Sequence, residues 1–201
     1  SAFAVGIQIF VFGLFKKIVL ADHLGVFVDD VFFAPTAYNT ATVILAVISY
    51  SLQIYFDFSG YSDMAIGVAK IVGFDFKPNF NLPYIAKGMS DFWKRWHISL
   101  SSWFQDYLYI PLGGSRKGQL RTYINLIIVM AVSGLWHGAG ITFIVWGVLH
   151  GITSCISRVI TKSGKAVGKG IDVLRTVATY IVVALLWVVF RASDFTNAWN
   201  V

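Results

Sequence analysis

The sequence predicts an all-α, polytopic membrane protein, a bundle of transmembrane helices with amphipathic helices that lie at the interface or re-enter the bilayer. Hydrophobic residues make up 57% of the chain and charged residues 13%, against about 45–50% and about 25% in soluble domains. The chain has 16 Lys and Arg against 10 acidic residues, a net charge of +6. These cations lie between long apolar runs, as in the cytoplasmic loops of membrane proteins, so the charge indicates topology and not nucleic-acid binding.

An apolar stretch lies close to each end of the 201-residue chain, so we expect residues 1–201 to form one membrane domain that is truncated at both ends. Ser1 to Leu14 lacks the basic start and the small-residue cleavage site of a signal peptide. Cys155 is the only cysteine, which excludes an internal disulfide and a thiolate-rich metal site. Because the four histidines are scattered singly, the sequence predicts no metal site.

Two apolar helices are predicted in the first third of the chain. The first runs from Ala2 to Leu20, and Lys16 and Lys17 near its end are expected to snorkel to the lipid headgroups. The second runs from Ala41 to Gly73, which at about 1.5 Å per residue is long enough to cross a hydrocarbon core of roughly 30 Å. Between them we expect a connecting loop with several polar residues: Asp22, His23, Asp29, Asp30, Tyr38 and Asn39.

Residues 74 to 120 are expected not to span, because prolines and paired glycines interrupt short aromatic stretches. Aromatic and leucine side chains between Ser90 and Tyr109 recur at intervals of three and four residues. This spacing predicts one amphipathic helix that lies at an interface or re-enters the bilayer, with Ser90 as its N-cap.

A helical hairpin is predicted next, formed by Arg121 to Trp136 and Ile141 to Ile156. His137 and two glycines, which weaken helix continuity, separate its arms. Excess cations flank the hairpin on both sides, so both flanks are expected to be cytoplasmic. The turn with His137 would then lie about 22 Å away, near the opposite side of the bilayer. A Gly/Lys linker over residues 161–170 and a final helix from Val173 to Phe190 follow.

His137 stands in an apolar setting, with no charged residue between Arg121 and Arg158. Burial favours the neutral imidazole, which can accept a proton near neutral pH, so we predict that His137 is a general base. Gly138 beside it lets a substrate approach the backbone closely. The alternative interpretation is a structural histidine that hydrogen-bonds a backbone carbonyl at a helix end.

His97 is the second candidate, because it follows two cations on the predicted amphipathic helix. It could bind or orient a substrate, with Lys94 and Arg95 attracting an anionic carrier or a phosphate. Alternatively, an interfacial helix rich in Trp, Lys and Arg contacts lipid headgroups and needs no ligand. We interpret His23, in the predicted loop, and His150, on the second arm of the hairpin, as structural.

Asp57 and Asp63 lie inside the second predicted helix, where a charged side chain is costly and suggests a function. Either carboxylate could line a polar tunnel. Alternatively, they could cap a helix end, since Gly60 indicates a break, or pair with Lys or Arg from another segment.

Three motifs, in this order, resemble the membrane-bound O-acyltransferase family. They are Gln53-Ile-Tyr-Phe-Asp57-Phe-Ser-Gly-Tyr-Ser-Asp63, then Asn79-Phe-Asn81-Leu-Pro83-Tyr84 leading through Asp91-Phe-Trp93-Lys-Arg95-Trp96-His97-Ile-Ser99 to Asp106-Tyr-Leu-Tyr109-Ile-Pro-Leu-Gly-Gly114, and finally Ser133-Gly-Leu-Trp136-His137-Gly138. The likeness covers nearly the whole chain and is strongest to the bacterial alginate O-acetyltransferase branch, with the teichoic acid D-alanylation protein as a relative.

The resemblance implies a many-helix protein of the bacterial inner membrane, surrounding a tunnel that an acyl donor enters from the cytoplasm and an acceptor from outside. It implies an O-acyltransferase that moves an acyl group, expected to be acetyl, from acetyl-CoA or another thioester toward hydroxyls of an exported polysaccharide. No bound cofactor is implied, and a periplasmic or cell-surface acetyltransferase is the implied partner.

His137 matches the histidine of the family's Trp-His-Gly motif, and His97 matches a second histidine or polar residue that the family carries upstream, so we predict both as catalytic. The predicted substrate-binding residues are Asp57, Asp63, Trp93, Lys94, Arg95, Trp96, Trp136 and Gly138. Acyl transfer also needs a hydrogen-bond donor for the developing oxyanion, for which the Trp136 indole, a glycine backbone N–H and His97 are the candidates.

Two other functions fit the same residues. One is a transporter or channel for an ion or glycan, with a path lined by Asp57, Asp63, His97 and His137. The other is a non-catalytic scaffold that anchors a soluble transferase.

Overall fold

The computed structural model describes residues 2–161 and 169–201, which contain helices and loops but no strand. The chain folds into two compact units, Ser1–Phe80 with Trp199–Val201, and Asn81–Ala198. Five helices in the described residues are long and apolar enough to cross a membrane: Ala2–Phe33, Thr40–Ile71, Gln119–His137, Ile141–Ile160 and Gly170–Arg191. The predicted all-α, multi-span class is confirmed.

The first unit is an antiparallel pair of long helices. One consists of α1 (Ala2–Phe15), a π-helical turn (Lys16–Ala21) and α2 (Asp22–Phe33). The other is α3 (Thr40–Ile71), which begins where Asn39 Oδ1 accepts a hydrogen bond from the Thr42 N–H at 2.9 Å. A 3-10 turn (Pro35–Ala37) joins the two, and the predicted second helix is confirmed.

The prediction of a connecting loop is wrong for Asp22, His23, Asp29 and Asp30. These residues belong to helix α2, which continues to Phe33. Its buried side chains recur every three or four residues, which is the spacing of one helix face: Ala21, Gly25, Val28 and Phe32. The polar residues lie on the remaining surface. His23 is therefore helical, and its Nδ1 lies 3.1 Å from the Ile18 carbonyl oxygen.

Lys16 and Lys17 do not snorkel as predicted, because each pairs with a carboxylate in the middle of α3. Lys16 Nζ lies 2.6 Å from Asp63 Oδ2. Lys17 pairs with Asp57 and, at 3.1 Å, with Asp22. Pairing offsets the cost of placing charges in a spanning segment.

The helix break predicted at Gly60 is absent, since α3 continues through it. The glycine instead permits close approach of α1. A Cβ at Gly60 would lie 2.7 Å from the Gly13 carbonyl oxygen, and one at Gly13 would lie 2.5 Å from the Gly60 carbonyl oxygen. Small residues bring membrane helices into backbone contact in this way.

The second unit begins with short elements and ends with long helices. The short elements are a 3-10 turn (Pro83–Ile85), α4 (Met89–Trp93), α5 (Ile98–Phe104) and a π-helical turn (Gln105–Tyr109). They are followed by the long helices α6 (Gln119–His137), α7 (Ile141–Thr161) and α8 (Lys169–Arg191). The short helix α9 (Phe195–Asn200) comes after α8 in the chain, and its residues are divided between the two units. The predicted hairpin and final helix are confirmed, whereas most of the Gly/Lys linker predicted over residues 161–170 lies outside the described residues.

The single amphipathic helix predicted from Ser90 to Tyr109 is wrong. The chain forms two short helices there, α4 and α5, with a break between them. The N-cap of α4 is Gly88 and not Ser90. Phe92 of α4 is buried beside His150 of α7, and Trp96, within the break, is buried beside Trp187 of α8. Tertiary packing therefore overrides the helical periodicity.

Candidate active site

The hairpin of α6 and α7 positions His137. At Gly134 and Gly147 the two helices are so close that an added Cβ would overlap the facing main chain. This spacing places Trp146, the neighbour of Gly147, beside the end of α6. His137 is the last residue of α6, and its ring centroid lies 5.5 Å from that of Trp146, at an interplanar angle of 90°.

The His137 ring has a second aromatic neighbour, Phe190 of α8, with a centroid distance of 5.3 Å and an angle of 83°. Edge-to-face contacts of this kind are favourable for aromatic pairs. Within residues 2–161 and 169–201 the imidazole makes no hydrogen bond, so the alternative of a histidine fixed to a helix-end carbonyl is not observed. His137 is also exposed, and packing alone orients it.

Helix α4 runs along α7 toward the same end of the hairpin. At its start the Met89 N–H donates to Ser157 Oγ at 3.2 Å. Further along, the Trp93 ring lies 5.0 Å from that of His150 and 6.0 Å from that of Trp146. Since Ser157, His150 and Trp146 follow one another toward the start of α7, α4 lies beside the middle of a spanning helix. The predicted position of this segment relative to the bilayer, at the interface or re-entering, stays a prediction.

His97 follows α4 and comes close to His137. Burial, and secondarily the charge of His137, lower the pKa of His97 from 6.5 to about 4. The imidazole of His97 is therefore neutral at neutral pH, and the two rings are near enough to interact electrostatically. The structure thus brings together the two predicted catalytic histidines from separate segments of the chain.

The backbone at His97 is left-handed, with φ 47° and ψ 55°. A residue other than glycine holds this conformation only where its surroundings impose it, and such residues cluster at functional sites. The His97 Nδ1 lies 3.5 Å from Ser99 Oγ, at the start of α5.

Arg95 stabilises the turn that carries His97. Its Nε lies 2.8 Å from Asp91 Oδ1, and its Nη1 donates to the Asn81 carbonyl oxygen at 3.3 Å. Burial raises the pKa of Asp91, but the hydrogen bonds from Arg95 and from the Lys87 N–H, together with the charges of Arg95 and Lys94, outweigh it and lower the pKa overall. Lys94 is exposed. Anion binding by Lys94 and Arg95 stays a prediction, and the observed contacts of Arg95 are structural.

The predicted substrate-binding tryptophans are in different surroundings. Trp93 and Trp96 pack inside the second unit, Trp96 at 5.0 Å from the Trp187 ring. Trp136 is 69% exposed, and the Gly138 N–H donates to the Leu135 carbonyl oxygen at 3.3 Å. A substrate contact by any of these residues stays a prediction.

Sequence reasoning missed most of the aromatic cluster beneath His137, which consists of Trp93, Trp96, Trp146, His150, Trp187 and Phe190. Trp146 and Trp187 are each 1% exposed, and their rings stack at 5.7 Å. The available signal was spacing, since Trp146 and His150 are four residues apart and Trp187 and Phe190 three apart, which places each pair on one helix face.

His150 lies wholly inside this cluster. It is fully buried, its ring lies 4.6 Å from that of Trp146, and neither ring nitrogen has a hydrogen-bond partner in the described part of the chain. Trp146 therefore stands between His150 and His137. This position agrees with the interpretation of His150 as structural.

Asp57 and Asp63 belong to the first unit, where their observed partners are Lys17 and Lys16. This is the ion-pair alternative considered from the sequence. Their role in substrate binding stays a prediction.

Three cavities, of about 510, 740 and 530 Å³, are formed by described residues. His97 and His137 line none of these three. The His137 ring is exposed in the described part of the chain and packs against Trp146 of the aromatic cluster.

Comparison with known proteins identifies the family. Residues 1–166 match the model of the membrane-bound O-acyltransferase family. Over 98% of the chain, the sequence is 47% identical to a probable alginate O-acetylase AlgI of Azotobacter vinelandii and 44% identical to a peptidoglycan O-acetyltransferase of Helicobacter pylori, of which it covers 39% and 38%. A teichoic acid D-alanyltransferase of Bacillus subtilis is 35% identical over 54% of the chain, which covers 29% of that relative.

The chain thus spans about two fifths of the length of the curated alginate and peptidoglycan relatives that it matches. Together with five apolar helices of spanning length, these matches establish a multi-pass membrane protein. The resemblance found in the three sequence motifs is confirmed, and the chain belongs to the membrane-bound O-acyltransferase family.

Proposed function

We propose that this chain carries the histidine site of a membrane O-acyltransferase, which moves an acetyl group from a thioester donor to a hydroxyl of an exported polysaccharide. The observation that supports the proposal most strongly is the proximity of His97 and His137. His137 ends the spanning helix α6, and His97 lies in the turn between α4 and α5. No group of three or more His, Cys, Asp or Glu side chains that could hold a metal ion is found among the described residues.

His137 acts as the general base in this proposal. A ring nitrogen without a proton accepts the proton of the acceptor hydroxyl as that oxygen attacks the thioester carbonyl. The carbon–sulfur bond then breaks, and the leaving thiolate takes the proton from the His137 imidazolium. His137 ends the cycle unchanged, and no covalent acyl intermediate on the chain is required.

His97 is the best supported donor to the oxyanion. Because its pKa is about 4, its imidazole is neutral and keeps one N–H to donate at neutral pH. The Gly138 N–H already donates to Leu135, and the Trp136 side chain is mostly exposed. A donor that is already in position needs no reorganisation when negative charge develops on the oxyanion. Hydrogen-bond donors of this kind contribute most to catalysis by stabilising that charge.

The names of the relatives and the distribution of charge support the proposed acceptor and donor classes. The relatives are named for alginate, peptidoglycan and teichoic acid, which are all polymers with hydroxyl groups. The cations that flank the hairpin favour a cytoplasmic base, so a thioester such as acetyl-CoA would enter there. We further propose the bacterial inner membrane as the location and a periplasmic or cell-surface acetyltransferase as the partner that completes transfer.

A transporter or channel is less well supported. That function would use Asp57 and Asp63 as groups lining an ion path, and in the first unit both are neutralised by lysines.

The test replaces His137 by Ala and measures labelled acetyl transfer by the purified protein, together with the acetyl content of the polysaccharide. We expect transfer to fall by about 10²- to 10⁴-fold, the range for removal of a general base. His23→Ala, at an exposed position in the first unit, is the matched control and should keep its activity. Normal transfer by a well-expressed His137→Ala protein would end the proposal.

A further inference from the structure

A groove of about 530 Å³ lies between α7 and α8, beside the start of α4. We call it the α7–α8 groove. Its walls extend from Thr153 to Ile160 on α7 and from Ile171 to Val182 on α8. Both stretches belong to helices of spanning length. At about 1.5 Å per residue the wall on α8 is roughly 16 Å long, so the groove is an elongated space along the spanning part of the second unit.

The aromatic cluster separates the α7–α8 groove from the histidine site. Along α7, His150 and Trp146 lie between the groove and the helix end beside His137. Along α8, Trp187 lies between the groove and that same end. These three rings are at most 1% exposed. An occupant of the groove therefore has no path to His137 through the described residues, and it is not a reactant in the proposed transfer.

The hydroxyl groups of the α7–α8 groove are already engaged. Thr153 and Thr179 each donate to a backbone carbonyl oxygen of their own helix, at 2.9 and 2.7 Å. Ser157 Oγ accepts a hydrogen bond from the Met89 N–H at 3.2 Å. Such a space suits a hydrocarbon chain, because a water molecule would find few hydrogen-bond partners there. Most of the remaining wall is aliphatic: Ile156, Ile160, Ile171, Leu174, Ala178 and Val182.

One end of the α7–α8 groove is cationic. Arg175 and Lys87 line it, and the described lining residues include no carboxylate. Lys87 Nζ lies 2.6 Å from Asp172 Oδ2, one helical turn from Arg175, so both cations lie at the same end. The ammonium group has three N–H donors and can bind a second partner. The Arg175 side chain makes no ion pair or hydrogen bond with the described residues. This end therefore attracts an anion.

We propose that the α7–α8 groove binds an anionic phospholipid, with one acyl chain between the two helices and the phosphate at Arg175 and Lys87. Arg binds phosphate through two parallel hydrogen bonds, and basic pockets between transmembrane helices bind anionic headgroups. A lipid in this position contacts α4, α7 and α8 together and stabilises the second unit. The inference does not depend on the proposed function, since the groove has no described path to His137.

The headgroup contact is tested by native mass spectrometry of the purified protein in detergent. The probes are phosphatidylglycerol and phosphatidylcholine with the same acyl chains, and we expect phosphatidylglycerol to be retained preferentially. Arg175→Ala should weaken phosphatidylglycerol binding about fivefold or more, the effect of one cation near an anionic lipid, and leave phosphatidylcholine binding unchanged. Arg158→Ala, which removes an arginine that lines a different cavity, is the matched control and should bind both lipids normally.

The acyl-chain contact is tested by filling the α7–α8 groove. Ala178→Phe should reduce retention of phosphatidylglycerol, whereas Val177→Phe, at an exposed neighbouring position outside the lining, should not. Phosphatidylglycerol should also raise the unfolding temperature of the wild type, because a ligand of the folded state stabilises it. It should raise that of Ala178→Phe much less. Arg175→Ala decides the question by itself if Ala178→Phe does not fold.

Two results would overturn the proposal. One is retention of phosphatidylglycerol that is equal in the wild type and Arg175→Ala, which would show nonspecific apolar binding. The other is displacement of the bound lipid by coenzyme A, which would assign the α7–α8 groove to a reactant. His137→Ala should retain phosphatidylglycerol like the wild type, so a failure of the proposed catalytic base and a failure of this lipid site are distinguishable.

Discussion

The two units of this protein place polar side chains in spanning helices in opposite ways. In the first unit, Lys16 and Lys17 pair with Asp63 and Asp57 across two helices. In the second unit, the imidazoles of His137 and His150 lie against aromatic rings and make no hydrogen bond within the described ranges. The charged groups of the first pair of helices are therefore paired with one another, whereas the ring nitrogens of these two histidines have no hydrogen-bond partner in the described residues.

The difference follows from the chemistry of the side chains. A carboxylate or ammonium group is too costly to leave alone in a low-dielectric region, so it is matched by a partner. A neutral imidazole is much cheaper to bury and can remain available to a substrate. We therefore expect structural effects from changes in the first unit and catalytic effects from changes at the histidine site of the second.

The largest loss of stability is expected when one partner of the partly buried ion pair between Lys16 and Asp63 is removed. Lys16→Met leaves Asp63 without its counterion and should lower the free energy of unfolding by about 3 kcal/mol or more. Thermal unfolding in detergent measures this. The double variant Lys16→Met with Asp63→Leu should recover most of the loss, while Lys70→Met, which breaks an exposed pair with Asp75, should cost at most about 1 kcal/mol. Equal losses for the Lys16 and Lys70 single variants would contradict the comparison.

A smaller loss is expected from crowding the hairpin of the second unit. Gly147→Val places a side chain against the main chain of α6 at Met130 and should lower the free energy of unfolding by about 1–3 kcal/mol. It should also reduce acetyl transfer, because the helix shift moves Trp146 away from His137. A variant with wild-type stability and activity would show that the close approach is not needed.

A still smaller effect is expected at His150. Because neither of its ring nitrogens has a partner in the described chain, His150→Phe removes no hydrogen bond and should change the free energy of unfolding by about 1 kcal/mol or less. Acetyl transfer should stay within tenfold of wild type. A loss comparable to that of His137→Ala would show that His150 is functional and not structural.

The smallest effect on stability at neutral pH is expected at His97, whose contribution to stability changes only in acid. Burial lowers the pKa of His97 to about 4 from 6.5, so between these values the unfolded chain binds a proton that the folded chain does not. Stability should therefore be fully present above about pH 6.5 and fall as the pH drops toward 4. In unfolding experiments across this range, His97→Gln should show a shallower decline. An identical decline in both proteins would contradict the burial of this ring.

Most of the long helices could be predicted from the sequence, but the short ones could not. Apolar runs such as Ala41 to Gly73 and the turn at His137 are strong local signals. The sequence predicts a loop where α2 lies, because three aspartates and a histidine interrupt its apolar residues. The break before His97 was missed because it depends on rings that pack against α7 and α8, which lie far away in the sequence.

The site was predictable one residue at a time, but not as an arrangement. Family motifs singled out His97 and His137, yet only the path of α4 along α7 brings them together. Trp146 and Phe190, which hold the His137 ring, lie outside those motifs. The lysine partners of Asp57 and Asp63 were also hidden, because ion pairs between helices leave no fixed spacing in the sequence.

The central claim is that the imidazole of His137, held by aromatic contacts alone, accepts the proton of the acceptor. The most direct test is the single-turnover rate of acetyl transfer from acetyl-CoA, measured between about pH 5 and 8, where a histidine changes charge, for the wild type and His137→Gln. We expect the His137→Gln rate to be at least about 100-fold lower and to lose the pH dependence of the wild type. A His137→Gln rate within tenfold of wild type, with the same dependence on pH, would contradict the claim.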